Sequence, residues 1–460
     1  MRRLLTGGVT VLAVLLAAGC STRSDDDTDS TRQDTPAAQE TRAASGDFGT
    51  LKNVCGPGTA GKSSTQGVTD DKLQVGVLSD VGFSKKSEFV DVAKVFTSWC
   101  NDAGGINGRD LEPVTRDTRL TEVRQRTIEA CKEDFALVGG GAALDSLGVK
   151  DRLTCLLPNF PAQSSQIGAI GSDLQVIASQ PTAGYFQYPG YYNWLMKEKY
   201  PDSAQKVGVI AGDSPVTKVM SAQFEEAVAG LGGKVSYTDL YPASGVSDWT
   251  PYAQAIKKED VKGLVFLGDF ASLAKLEQAL TSIDYAPDWI DANSNAYGPA
   301  FPKLAGTALA KQHNYAELFA TAPLESAADN PATQQAIDLF EKYAPGKEVS
   351  YPALRAFSAW LLFATAARDC TTLTRACVYE NARKNTDWTA GGLQAPFDLT
   401  SKEPTSCFAV VEATADGWQP TDFKPDQGAF RCDGPVYKYK GDYGKPATLA
   451  SVGKSLSDLT

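Results

Sequence analysis

The chain has 460 residues, 42% of them apolar, with 55 acidic against 44 basic side chains and a net charge of −11. That length suits two medium domains with ordinary cores, and the acidic balance excludes sequence-independent nucleic-acid binding, which needs Lys/Arg to displace counterions. A single histidine, His313, argues against Cys/His zinc sites and against a serine–histidine triad.

The opening "MRRLLTGGVTVLAVLLAAGC" has two arginines, an apolar run from Leu4 to Ala18 and then small residues. The run is about 15 residues, short of the roughly 20 that span a bilayer. It resembles a bacterial lipoprotein signal, with residues 1–19 removed and Cys20 diacylated, although Ala17 stands where leucine is commonest. An ordinary secretory peptide is the other reading. Residues 20–50 are polar and acidic, and are expected to form a disordered tether from a lipid anchor at the extracytoplasmic face of the cell membrane. With Cys20 acylated, Cys55, Cys100, Cys131, Cys155, Cys370, Cys377, Cys407 and Cys432 remain. An even number in an exported chain implies a disulfide framework.

"LQVGVL" (73–78) reads as a strand, followed by a helix that carries Phe89, Val92, Ala93, Phe96 and Trp99 on one stripe. In "NDAGGINGRDL" (101–111), Gly104 and Gly105 suit a left-handed helix end and Asn107-Gly108 a tight turn. A phosphate cradle has the order strand, loop, helix; here the order is reversed, so the stretch is a connector. "LEPVTRDT" follows as a strand, 121–132 as a helix, "ALVGGG" (136–141) as a strand, and "LTCLLP" (153–158) and "LQVIA" (174–178) continue the strand set. "GYFQYPGYYNWL" (184–195) holds six aromatics, either as a helix packed on a lobe or as a cleft wall. A second series runs through "KVGVIAGD" (206–213), a helix from Val216, "KVSYTDLY", a helix over 248–258, "GLVFLGD" (263–269), a helix over 271–282 and "DWIDAN" (288–293). Such alternation builds parallel sheets with crossover helices, and two series imply two lobes.

The order strand, ligand loop, amphipathic helix, "AGGINGR" and a polar strand ending in "RDT" resembles the branched-chain amino acid-type substrate-binding proteins of ABC importers, the type I periplasmic binding proteins. "KVGVIAGD", "GLVFLGD" and an Asp416-Gly417 hairpin extend the resemblance over about residues 70–435. It implies an α/β fold of two Rossmann-like lobes joined by a three-strand hinge, with crossings near 180–184, 318–324 and 388–396. Lobe one would hold 70–181 and 322–390, lobe two 182–321 and 391–435, with 436–460 as a tail. It further implies a monomer without cofactor or metal, not an enzyme, that captures a small polar or aromatic organic molecule (an amino acid, amide or related) and delivers it to an ABC permease. A ligand-sensing lipoprotein of the same fold and an exported carboxylate-dependent enzyme are the alternatives.

In open α/β sheets ligands bind beyond the carboxyl ends of strands. The candidates there are Ser79, Asp80, Gly82 and Phe83, then Gly140, Gly141 and Ala142, then Asn159 and Phe160. The second lobe offers Asp213, Ser214, Asp269, Phe270 and Asn293. Asp213, Ser214 and Asp269 can equally be helix N-caps, and Phe270 can equally be core. Ala142 and Ala143 stand where relatives carry Ser/Thr, and Pro215-Val216 where an aromatic is usual. For the disulfides, Cys370 and Cys377 in one straight helix would lie about 10.5 Å apart, beyond the ~7 Å limit for a bridge. A helix break at Thr371-Thr372 is therefore expected to join them. Cys100 and Cys131 fall near the ends of consecutive parallel helices and are expected to pair, Cys407 to pair with Cys432, and Cys55 with Cys155.

Overall fold

The computed structural model describes residues 45–59, 61–63, 65–178, 183–242 and 244–459; the signal segment and Cys20 lie outside them. Lobe one opens with β1 (Lys72–Ser79), α1 (Val81–Ser84), α2 (Glu88–Asp102), β2 (Asp110–Asp117), α3 (Val123–Glu133), β3 (Leu137–Val138), α4 (Ser146–Thr154) and β4 (Asn159–Phe160). These strands form one parallel sheet in the order β2-β1-β3-β4. Lobe two adds α5 (Pro189–Trp194), β5 (Val207–Gly212), α6 (Pro215–Gly230), β6 (Val235–Tyr241), α7 (Thr250–Lys258), β7 (Gly263–Leu267), α8 (Phe270–Ser282), β8 (Trp289–Asp291), α9 (Ala300–Ala305) and β9 (Asn314–Glu317). The chain then returns to lobe one as α10 (Pro331–Tyr343), α11 (Tyr351–Arg368) and α12 (Arg375–Arg383). It completes lobe two with β10 (Val410–Thr414) and β11 (Gly417–Pro420). The second sheet runs β11-β10-β9-β8-β7-β5-β6, with β10 antiparallel to both neighbours.

Each lobe has its own apolar core. β5 and β7 are buried along their whole length, as strands covered by helices on both faces must be. In lobe one, α11 is apolar almost all round and buried almost throughout, a core helix; no helix among the described residues is long and apolar enough to cross a membrane. Between the lobes, Ala322 N–H donates to Leu393 O (2.8 Å) and Ala395 N–H to Ala320 O (2.7 Å), so two crossings run side by side as antiparallel strands.

Several expectations need correction. "LTCLLP" is no strand: Leu153 and Thr154 end α4, and Leu156 turns at φ 55°. "LQVIA" contributes a single bridge, Gln175 to Asn159, and "ALVGGG" pairs only at Leu137–Val138 before Gly139 turns at φ 65°. The end of the supposed tether is ordered: Phe48 is fully buried, 5.0 Å from Phe357 and 6.0 Å from Trp99 between ring centroids. The supposed tail returns to lobe one, where Ala447 N–H donates to Gly168 O (3.0 Å) and Leu449 N–H to Asp173 (2.6 Å).

Cys370 is bonded to Cys377 and Cys407 to Cys432. The break that joins the first pair is followed by a new helix at Arg375, capped by Thr374. The other four cysteines pair as Cys55–Cys100 and Cys131–Cys155, not as Cys100–Cys131 and Cys55–Cys155. The reason is topological. β1 is central in its sheet, so the crossovers on its two sides lie on opposite faces: α2 packs with α10 and α11, whereas α3 packs with α4.

Candidate functional site

The carboxyl ends of β1 and β3 in lobe one face those of β7 and β8 in lobe two across a cleft. Its main chamber encloses about 540 Å³, between residues 163–170 of lobe one and the first turns of α6 in lobe two. An outer part of about 220 Å³ adjoins β1 and α8, and a narrow inner part of about 80 Å³ reaches Tyr185, Phe186, Tyr192 and Asp291. The volume is that of an ordinary small-molecule site.

Of the candidate residues, Ser79, Asp80, Gly141, Ala142, Asp269, Phe270 and Asn293 border the outer part together. Asp269 is both a cap and a wall: its carboxylate accepts from Ala271 N–H and Ser272 N–H, each at 3.0 Å. Phe270 is a wall rather than core, with Lys86 Nζ of lobe one 3.8 Å above its ring. Asn293 also borders the main chamber.

The remaining candidates lie elsewhere. Phe160 is core, 5.5 Å from the Phe363 ring centroid. Gly140 and Asn159 border a small void inside lobe one. Gly82 N–H donates to Asp117 (3.0 Å), and Phe83 is 62% exposed to solvent. Asp213 pairs with Lys218 at 2.5 Å, and Ser214 caps α6 by accepting from Thr217 N–H. The aromatic stretch 184–195 divides: Tyr191, Tyr192 and Trp194 are core, whereas Tyr188 borders the main chamber and lies 3.4 Å from the Ser294 hydroxyl.

Three amides of the loop after β3 are already engaged within lobe one. Gly139 N–H donates to Phe160 O (2.8 Å) and Gly141 N–H to Leu78 O (2.9 Å). Ala143 N–H donates to the Asp80 carboxylate at 2.7 Å. Asp80 also accepts from the Thr118 hydroxyl and from Leu120 N–H (3.2 Å). It is thus a strut that binds the β1, β2 and β3 loops together, and an internal carboxylate already occupies the loop.

At the inner end, burial pushes the Asp291 carboxyl up to about 6, against hydrogen bonds donated by the Tyr192 hydroxyl and Asn293 N–H. A carboxyl whose folded value exceeds its ordinary 3.8 holds its proton more tightly in the fold. Its favourable contribution is therefore present below about pH 4 and is lost as pH rises through 6. The shift amounts to about 3 kcal/mol. Urea unfolding of the wild type and Asp291→Asn, repeated between pH 4 and 7, should show the wild type losing that much relative to the variant. Parallel profiles would contradict this assignment.

Sequence reasoning missed Arg355, Gln163, Gln187 and Met220, all of which border the main chamber. For Arg355 the sequence shows only an oddity, a cation as the fifth residue of a long apolar helix, and not its place at a cleft.

A family model described as "Periplasmic binding protein" matches residues 73–418. No curated protein gives a significant sequence match. Among solved structures, a fatty acid ABC transporter substrate-binding protein from Thermomonospora curvata is 18% identical, with a TM-score of 0.65 over 84% of this chain and 97% of that one. A leucine-binding protein from Thermotoga maritima is 16% identical, with a TM-score of 0.62 over 76% and 97%. A branched-chain amino acid ABC transporter protein from Thermus thermophilus with bound valine is 15% identical, with a TM-score of 0.64 over 76% and 96%. At these identities the likeness is one of fold.

Proposed function

Because the chain belongs to the periplasmic binding protein family, whose members bind solutes rather than transform them, we propose that it is a lipid-anchored solute-binding protein of an ABC import system. It captures a small organic molecule between its lobes and delivers it to the permease at the outer face of the cell membrane. The observation that carries this reading is the 540 Å³ cleft, walled by both lobes at the carboxyl ends of two parallel sheets. Lobe one would capture the solute first, and closure about the paired crossings at 320–322 and 393–395 would add the lobe-two contacts. Acylation of Cys20 rests on "LLAAGC" and the polar tract behind it.

A thermal-shift screen of the mature chain against amino acids, amides, organic acids, sugars and nucleosides tests capture. A ligand at 100 times its Kd should add about 2.7 kcal/mol. Silence across the panel from a folded protein would count against solute capture. Palmitate labelling that survives Cys20→Ser would count against the anchor.

A further inference from the structure

Arg355 stands where the two cores meet. In α11, Tyr351 packs into the lobe-two core and Ala353 and Phe357 into that of lobe one. Arg355 is only 5% exposed and borders the main chamber, and its Nε and Nη2 have no hydrogen-bond partner. The guanidinium rests 5.4 Å from the Tyr351 ring centroid and forms no ion pair among the described residues. A guanidinium cannot shed its proton in a protein, so burying it unpaired is among the costliest arrangements a fold can adopt. The start of α11 adds the positive end of a helix dipole to the same spot. The acidic groups behind it do not compensate. Burial holds the Glu317 carboxyl well above the usual carboxylate range, with the Asp291 charge adding to that, while Arg355 opposes it only in part. Asp291 is itself engaged by Tyr192 and Asn293 N–H.

The rest of the chamber is mixed, with an apolar strip set among polar side chains such as Gln163, Gln166, Gln187 and Gln223. Ile167, Ile170, Val216, Val219, Met220 and Leu267 border it, and Val219 is 37% exposed in this structure. Across the cleft, the loop amide of Ala143 is already taken by the internal carboxylate of Asp80. Among the described residues, Arg355 is thus the buried, unsatisfied cation of a cleft whose wall carries an apolar strip.

We propose that the cargo is an apolar organic carboxylate, held by the Arg355 guanidinium with its hydrocarbon body along Ile167, Ile170, Val219 and Met220, and that it needs no ammonium group. This rests on the solute-capture reading and names its substrate class. Arginine suits the task because its planar fork matches a carboxylate bidentately. Glu317 Oε2 has no hydrogen-bond partner but borders no part of the cleft, and Asp291 is engaged by Tyr192 and Asn293 N–H, so neither offers a cargo ammonium a free counter-charge.

The test is isothermal titration of the mature chain with octanoate, phenylacetate, 4-methylpentanoate and leucine, and with octanamide and phenylacetamide as neutral matches. The acids should bind one per chain, the amides at least about 50-fold more weakly, and 4-methylpentanoate no more weakly than leucine. Arg355→Met should lose acid binding by a similar factor while its melting temperature stays level or rises, because an unpaired buried charge has been removed. Arg355→Lys, which keeps the charge but not the fork, should fall between. A purely structural arginine would instead lower the melting temperature and leave the acid-over-amide preference intact. Amides that bind as well as acids, leucine strongly preferred over 4-methylpentanoate, or an Arg355→Met protein with wild-type affinity would overturn the inference and leave solute capture standing. If nothing on this panel or the wider screen binds, solute capture itself fails.

Discussion

Asp134→Ala should cost lobe one about 3–5 kcal/mol in urea unfolding. The Asp134 side chain is fully buried and Arg116 is 7% exposed. Arg116 donates to it twice, at 2.7 and 2.9 Å, and Gln74 Nε2 donates at 2.9 Å. The carboxylate thus ties β2 to β1, and the backbone carbonyl of Asp134 also receives Arg375 Nη2 of α12 at 2.8 Å. Truncation leaves a buried guanidinium with only the exposed Glu133 as a partner, at 2.8 Å. The loss is therefore the penalty of an orphaned charge rather than the net strength of the pair. The double replacement Asp134→Leu with Arg116→Met should recover most of it, since apolar substitutes for a buried pair are often neutral. The exposed pair Lys303–Glu348 is the control: its removal should change stability by less than about 1 kcal/mol.

Trp360→Ala should cost a similar amount, about 3–5 kcal/mol, for a different reason. Trp360 is fully buried, stacked 5.4 Å from Phe96 and edge-on to Phe363 at 6.4 Å. Its indole also fills the space beside Gly139, where a Cβ would come within 2.2 Å of Nε1. The variant leaves a cavity next to the turn that leads into Gly141 and Ala142 at the cleft. Ligand affinity should fall along with stability. A Trp360→Ala protein that keeps full stability would mean that lobe one repacks around the gap, contrary to the close packing described here.

The parts of the fold that could be read from sequence are those with sustained patterns. β1, β5 and β7 carry sustained apolar runs of five or more residues, and α2, α6 and α8 that follow them are long enough to show a 3.6-residue stripe. β3 and β4 have two residues each, too few to carry a period, and their strand character comes from the neighbours that pair with them. "LTCLLP" deceived because an apolar run at a helix end looks like a short buried strand. The disulfides failed where sequence order had to stand for spatial order, since α2 and α3 lie on opposite faces of one sheet. At the cleft, strand-end logic brought seven candidates together but could not tell a wall from a strut. Asp80 lies on the cleft yet spends its carboxylate on its own loops. Arg355 lies about 60 residues beyond the last strand end considered and reaches the cleft only because α11 starts between the cores, a tertiary fact that no local pattern states.

The measurement that bears most directly on interlobe capture is hydrogen–deuterium exchange of the mature chain, with and without the strongest ligand from the screen. Slower exchange is expected at residues 163–170 of lobe one and, together with it, at 216–223 and 293–295 of lobe two. Protection confined to one lobe, or lying away from the cleft, would contradict capture between them.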